Sequence, residues 1–165
     1  MNSLKFDLRT TYLERLADSV GSGLFRRCFC KDDKGALVDV CSAGLFACVV
    51  FASNFLKIHD LIKVSMANVG TFENELISCG WTVFSGGGDP PAGSVLFWEP
   101  RMGSDGNLHR HVGFYYFDEL AISNDPRNLK EGSTRAPIMH KMDCSDVLGY
   151  VRKIEKVYFH PLLKC

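Results

Sequence analysis

Two apolar segments in the second half of the chain constrain its fold more than any other feature: residues 93–98 (Gly-Ser-Val-Leu-Phe-Trp) and 111–116 (His-Val-Gly-Phe-Tyr-Tyr). Each is short, apolar and bounded by polar or glycine-containing stretches, which is typical of β-strands. The second segment begins with His111, so we expect its imidazole at the start of a strand, facing a cleft. A histidine held in that way is a ready general base for a cysteine elsewhere in the chain.

The remaining segments predict helices first and strands afterwards. Residues 7–20 carry apolar side chains at fourfold spacing and residues 67–79 form a second amphipathic pattern, so both are predicted to be helices. The run from Ala43 or Leu45 to about His59 is apolar nearly all round, which indicates a buried helix. Strands are predicted at residues 95–98, 112–116, 120–123 and 153–159, with loops at residues 85–91 and 124–135. This order predicts one α+β domain over residues 1–165, with a buried helix packed on an antiparallel sheet.

Charge and hydropathy exclude several classes of partner. Lys plus Arg and Asp plus Glu each number 19, and no basic stripe occurs, so we expect no nucleic-acid partner. The longest apolar run, residues 43–52, is far shorter than the ~20 residues of a membrane span. The first residues lack the apolar core of a signal peptide, so a cytoplasmic location is the default expectation, with non-classical export left open.

No metal or cofactor is expected from the spacing of possible ligands. Cys28 and Cys30 are too close for a CxxC knuckle, and no second pair completes a zinc site. His109 and His111 could bind a metal as a pair, but no third ligand is evident.

Two cysteines, Cys41 and Cys48, are candidates for a nucleophile near the start of the buried helix. If Gly44 belongs to the loop, the helix begins near Cys48; if the helix begins near Gly44, Cys41 lies just before its first turn. A helix N-terminus and a nearby histidine lower a thiol pKa, and the free N–H groups can hold an oxyanion. The residues alone leave both choices open, as well as the interpretation that both thiols are structural.

A catalytic histidine also needs a polar partner that fixes its tautomer. A two-residue turn at Phe117 and Asp118 would place Asn124 opposite His111, whereas an odd-length turn would bring Ser123 across instead. Asn124 is preferred because its amide oxygen can accept the imidazole N–H. His140, in a similar apolar setting, is the reserve candidate for the base.

Taken together, these motifs resemble the NlpC-type cysteine peptidases, a papain-like superfamily of bacterial hydrolases that includes many peptidoglycan stem-peptide hydrolases and is related to the CHAP amidases. The resemblance covers roughly residues 20–142. It rests on Val-Gly-Ser-Gly-Leu-Phe-Arg at 20–26, Gly44, Cys48, Leu61-Ile62, Gly80-Trp81, Val-Leu-Phe-Trp-Glu at 95–99, His-Val-Gly-Phe-Tyr at 111–115, Ala-Ile-Ser-Asn at 121–124 and Pro-Ile-Met-His at 137–140.

The resemblance implies a papain-like, NlpC-type fold and a nucleophile at Cys48. The family motif Asp-Cys-Ser-Gly is absent around Cys48, and spacing places Ser123 where the family often has a third catalytic histidine. We therefore predict a cysteine hydrolase acting on an amide bond of a peptide or peptidoglycan fragment, with Cys48, His111 and Asn124 as catalytic residues. An inactive binding module of the same fold and a thiol acyltransferase are the alternatives.

Overall fold

The computed structural model describes residues 3–103, 106–127 and 134–164, and three of its longer helices precede the main strands. The helices are α1 (Leu8–Asp18), α2 (Cys48–Lys57), α3 (Val69–Ser78) and α4 (Ser145–Leu148), with a 3-10 turn at Pro161–Leu163. The strands are β1 (Phe29–Lys31), β2 (Leu37–Asp39), β3 (Thr82–Val83), β4 (Val95–Met102), β5 (Leu108–Tyr115), β6 (Leu120–Asn124), β7 (Pro137–Lys141) and β8 (Ile154–Phe159). None of the helices in the described ranges is long and apolar enough to cross a membrane.

Six strands form one antiparallel sheet in the order β3-β8-β4-β5-β6-β7, and β1 and β2 form a separate hairpin. Consecutive strands β4 to β7 are neighbours, as expected when short loops connect antiparallel strands. The helices lie outside this meander in sequence. The α+β class and the antiparallel sheet are therefore confirmed.

Local sequence explains where α1 and α3 begin. Asp7 accepts a hydrogen bond from the Thr10 N–H, and Asn68 accepts from Gly70 and Thr71, so each helix has a polar N-cap side chain. Both helices lie within the predicted ranges 7–20 and 67–79. These two predictions are confirmed, with ends shorter by one or more residues.

The larger part of the core lies between the sheet and helix α2. This helix is buried almost all round, and it packs against β5 and β6. Its partners on the sheet include Phe97, Val112 and Phe114, none of which is exposed. A buried helix packed on an antiparallel sheet is thus confirmed, and the opposite face of the sheet carries a smaller apolar cluster: Leu96, Trp98, Tyr115, Ala121, Cys144 and Leu148.

Strand β5 begins earlier than the sequence predicted. It starts at Leu108, because residues 108 and 109 pair with Met102 and Arg101 beyond an irregularity in β4. His111 therefore lies inside the strand, opposite Trp98, and not at its first residue. A bulge of this kind changes the side-chain direction along a strand and is common next to functional sites.

The turn between β5 and β6 also differs from the prediction. Tyr116 N–H donates to the Leu120 carbonyl and Leu120 N–H to Phe117, so the loop consists of Phe117, Asp118 and Glu119. The predicted two-residue turn is wrong. The loop has an odd length, as in the alternative, but Ser123 pairs with Gly113 and not with His111. Within this loop, Asp118 and Glu119 both have positive φ values, 49° and 60°.

The predicted exposed loop at 124–135 is wrong at its start. Asn124 and Asp125 are only 2% and 3% exposed. Asp125 is held by a double hydrogen bond with Arg127 and by the Thr134 N–H. Residues 128–133 of this loop lie outside the described residues.

Candidate active site

A pocket of about 540 Å³ lies where the N-termini of α2 and α3 approach β4 and β5. Cys48, His111 and Asn124, the three residues predicted for the site, all line it. Cys41 does not: it is fully buried and packs with Ala47 in a small separate cluster. The structure therefore brings one of the two candidate cysteines to the same pocket as the candidate base.

A tight loop before α2 determines which cysteine begins the helix. The Asp39 carboxylate accepts the N–H groups of Cys41 and Ala43, and the Cys41 carbonyl accepts those of Gly44 and Phe46. The chain is thereby folded back until Ala47, and α2 starts at Cys48. The expectation that Gly44 belongs to the loop and that the helix begins near Cys48 is confirmed.

A glycine is required at position 44, where the loop before α2 contacts Arg135 and the end of β6. Its φ is +101°, and a Cβ there would lie 2.6 Å from the Arg135 carbonyl oxygen. Its own carbonyl accepts a 2.8 Å hydrogen bond from Nδ2 of Asn124. Asn124, predicted to orient the imidazole, is thus found holding the loop that leads into Cys48.

The Cys48 thiol lies beside main-chain N–H groups at the point where β5 and β6 separate. Their last described pair is Gly113 with Ser123. Since the Tyr116 N–H points towards β6, the Val112 N–H, an even number of residues away, points the same way. There it meets the Cys48 thiol in place of a strand partner.

Burial dominates the ionisation of this thiol. It raises the pKa of Cys48 above its ordinary value, although the Val112 N–H, the charge of Arg152 and the N–H groups at the helix start act in the opposite direction. The lowered pKa expected from a helix N-terminus and a histidine is therefore not found in this state. Among the described contacts, no hydrogen bond joins the Cys48 sulfur to the imidazole of His111, so the free protein holds a neutral thiol near a neutral base.

His111 belongs to a buried chain of hydrogen bonds. Its Nε2 lies 2.8 Å from the Ser123 hydroxyl oxygen, which lies 2.7 Å from Nε2 of His140. Ser123 faces Gly113 across the strands, and a Cβ on Gly113 would lie 2.5 Å from the Ser123 Cβ. Because residue 113 is a glycine, the Ser123 side chain has room to reach His111, which lies two residues further along the neighbouring strand.

The donors and acceptors of this chain determine which ring nitrogen of His111 is basic. Nδ1 of His140 lies 2.7 Å from the Lys141 carbonyl, which can only accept, so Nδ1 carries the hydrogen. Burial lowers the pKa of His140, so the ring is neutral and its Nε2 accepts the Ser123 hydroxyl hydrogen. Ser123 must then accept from Nε2–H of His111, which leaves Nδ1 of His111 unprotonated.

A competing hydrogen bond does not change this assignment. The Ser123 hydroxyl also lies 3.1 Å from the Asn124 carbonyl oxygen. If its single hydrogen went there, His140 would have to carry hydrogens on both nitrogens, and burial disfavours that charged form.

Trp98 closes the opposite side of the two histidines. Its ring lies 5.2 Å from that of His111 and 5.9 Å from that of His140, measured between centroids. This apolar cover keeps both rings dry. Burial, followed by the charge of Arg152, holds the pKa of His111 well below its ordinary value of 6.5.

Arg152 also lines the pocket, although the sequence did not predict it as a site residue. It is only 6% exposed, and its guanidinium donates to the carbonyls of Glu99 and His109. No motif surrounds it in the sequence, so no signal could have found it. His140 was a reserve candidate only, because the strand that carries it, β7, was not predicted.

The described residues contain no cluster of three or more His, Cys, Asp or Glu side chains placed to hold a metal ion. Comparison of the chain with protein-family models and with curated proteins found no match to either.

Proposed function

We propose that this chain is a cysteine hydrolase of papain-like, NlpC-type architecture that cleaves an amide bond in a peptide or peptidoglycan fragment. The observation that carries the proposal is the position of Cys48 as the first residue of α2, in the same pocket as a buried, neutral His111. A thiol at a helix start and an imidazole with a free Nδ1 are the two groups that acyl transfer requires.

In the proposed reaction the Cys48 sulfur attacks the substrate carbonyl while its proton passes to Nδ1 of His111, directly or through one water molecule. The carbonyl oxygen becomes an oxyanion beside the first N–H groups of α2. Ala47 provides no capping side chain, so no cap competes with the oxyanion for these N–H groups.

His111 then returns the proton to the leaving amine, and the C–N bond breaks to leave a thioester on Cys48. A water molecule attacks the thioester with His111 again as base, which releases the acid and restores the thiol. Throughout, Ser123 accepts the Nε2–H of His111 and stabilises the imidazolium that forms.

Asn124 has a positioning role in this proposal. Its hydrogen bond to the Gly44 carbonyl fixes the loop before Cys48 to the end of β6. The nucleophile and the base are therefore attached to the same strand, through Asn124 and Ser123 respectively.

The test is to find where an activated acyl group becomes attached. We expect p-nitrophenyl acetate to acetylate Cys48 as a thioester detectable by peptide mass spectrometry, and Cys48→Ala to lower the rate of nitrophenol release by at least about 10⁴-fold. Cys41→Ala is the matched control, because Cys41 is buried outside the pocket. In this variant p-nitrophenyl acetate should acetylate Cys48 at the wild-type rate.

Failure to form a thioester at Cys48 would contradict the proposal and favour a binding module of the same fold. If the thioester forms, hydrolysis of peptide anilides can be compared with transfer of their acyl group to added hydroxylamine. Transfer that outpaces hydrolysis at low amine concentration would identify an acyltransferase instead.

A further inference from the structure

Three arginine side chains line the candidate active-site pocket, and two of them are neutralised by carboxylates. Arg101 forms an ion pair with Glu99. Arg110 lies 3.2 Å from Glu155 and 3.9 Å from Glu73. Both arginines are partly exposed, so their charges are balanced and screened by water.

Arg152, the third arginine, has no such partner. Its Nε and Nη2 donate to the Glu99 carbonyl at 3.1 and 3.0 Å, and Nη2 also donates to the His109 carbonyl at 2.8 Å. Within the described part of the chain, no carboxylate lies within ion-pair distance of Arg152, and no hydrogen bond uses Nη1. A cation buried in this way is unfavourable unless an anion joins it.

The rest of the pocket adds positive and not negative potential. The N-termini of α2 and α3 both border it, and neither helix has an acidic residue in its first turn. Asp125 also lines the pocket, but Arg127 holds its carboxylate with two hydrogen bonds of 2.8 and 2.6 Å.

We propose that Arg152 binds a carboxylate of the substrate through Nη1, so that the pocket selects amides that carry a carboxylate close to the bond that Cys48 attacks. Nε and Nη2 are already used by main-chain carbonyls, so Nη1 can donate one N–H to a carboxylate oxygen in a charge-assisted hydrogen bond. This substrate class rests on the proposed function, whereas anion binding beside Cys48 can be tested without turnover. The charge of Arg152 acts on the pKa of both Cys48 and His111, which agrees with its closeness to them.

The test compares two reagents of nearly equal size, iodoacetate and iodoacetamide, as alkylators of Cys48. In both reactions the sulfur displaces iodide, the C–S bond forms as the C–I bond breaks, and the thiol proton goes to His111 or water. Exposed Cys30 in the same chain is the internal reference. We expect the iodoacetate-to-iodoacetamide rate ratio to be on the order of 10-fold higher at Cys48 than at Cys30, as one added charge pair at moderate screening predicts.

Arg152→Met should remove this preference by slowing iodoacetate about 10-fold more than iodoacetamide. Arg110→Met is the matched control, since Arg110 lines the same pocket but is paired, and it should leave the ratio nearly unchanged. Equal slowing of both reagents in Arg152→Met would overturn the proposal, because the arginine would then act on the thiol alone.

A measurement on the wild-type protein keeps the proposal falsifiable if Arg152→Met does not fold. Added salt should slow iodoacetate at Cys48 while leaving iodoacetamide unaffected. The same salt response for the two reagents would overturn the anion site. A preference for iodoacetate in a protein that forms no acetyl thioester would instead leave the anion site standing and reject the hydrolase.

Discussion

At the scale of single residues, the basicity of His111 depends on a hydrogen that belongs to its neighbour. Ser123 has one hydroxyl hydrogen, and His140 takes it because its own Nδ1–H is committed to the Lys141 carbonyl. Ser123 therefore acts on His111 only as an acceptor. This arrangement selects the tautomer that can receive a proton from a thiol.

Ser123→Ala should reduce kcat about 10²-fold and leave KM nearly unchanged, since loss of the acceptor frees His111 to adopt the wrong tautomer and positioned general bases contribute factors of this size. Ser123 is fully buried and is not among the residues that line the pocket, so substrate binding should not sense its loss. The measurement is steady-state kinetics of p-nitrophenyl acetate hydrolysis.

Ser53→Ala is the control for the loss of a buried hydroxyl. Ser53 is also fully buried and bonds to the main chain of Met66, and neither residue lines the pocket. Both variants should lose similar stability, about 1 kcal/mol of unfolding free energy. If Ser123→Ala kept the kcat of Ser53→Ala, the tautomer account would be wrong.

The sequence could predict the types of residue at the site but not their mutual contacts. His111 follows from its place in an apolar strand, whereas the residues alone left Cys41 and Cys48 open and only the family resemblance favoured Cys48. The contact of His111 with Ser123 depends on the turn length and on Gly113, and one residue of difference in the turn changes which side chain is opposite. Asn124 was predicted near the site from the same hairpin, but its bond to Gly44 joins segments that are far apart in the chain.

At the scale of elements, the start of α2 depends on the loop that precedes it. Ser42 and Ala43 also have positive φ values, 47° and 55°, so the loop before the helix is strained over successive residues. Asp39 and Asn124 hold this loop at its two ends. A change in the loop should therefore move Cys48 without altering the pocket walls on the sheet.

Gly44→Ala tests this dependence. The variant should lose about 3 kcal/mol of unfolding free energy, because a positive φ is unfavourable for alanine and the added Cβ meets the Arg135 carbonyl at 2.6 Å. Chemical denaturation measures the stability, and acetylation of Cys48 measures the position of the thiol; we expect both to decrease.

Gly88→Ala separates the two causes. Gly88 has a similar φ of +93°, but a Cβ there would meet nothing within 4 Å. The Gly88→Ala variant should lose only about 1 kcal/mol of unfolding free energy, and its Cys48 should be acetylated at the wild-type rate. Equal losses in the two variants would show that the close approach of Gly44 to Arg135 does not matter.

Elements were predictable where a periodic pattern was long. Helices α1, α2 and α3 and the strands β4, β5, β6 and β8 were predicted within a few residues. Strands β2, β3 and β7 were missed, because β2 and β3 are short and largely exposed and β7 begins with a proline. Proline is tolerated there because β7 is an edge strand of the sheet.

At the scale of the whole molecule, the site lies where residues from the two faces of the sheet reach the same pocket. Helix α2 packs on one face, while His111 shares the other face with Trp98. The early separation of β5 from β6 opens a gap beside Val112, and the start of α2 occupies it. Thiol and imidazole are thereby brought to one pocket from opposite faces, an arrangement that no local sequence pattern reveals.

This arrangement determines the pH dependence of the reaction. Burial lowers the pKa of His111 well below 6.5, so the neutral base persists as the pH falls past 6.5 and is lost only when the pH falls through the lowered value. Activity should therefore extend further into acid than an exposed histidine would allow. On the alkaline side, the raised pKa of Cys48 means that reaction through free thiolate increases only above the ordinary thiol range.

The most direct test of the account is the rate of Cys48 acetylation by p-nitrophenyl acetate across the pH range in the wild type, His111→Gln and His109→Gln. We predict that His111→Gln slows acetylation at neutral pH by at least about 10²-fold, and that the wild-type rate declines only below pH 6.5. His109 lines the same pocket, so His109→Gln is the control and should react like the wild type. Equal rates for His111→Gln and the wild type would contradict the central claim that His111 is the base for Cys48.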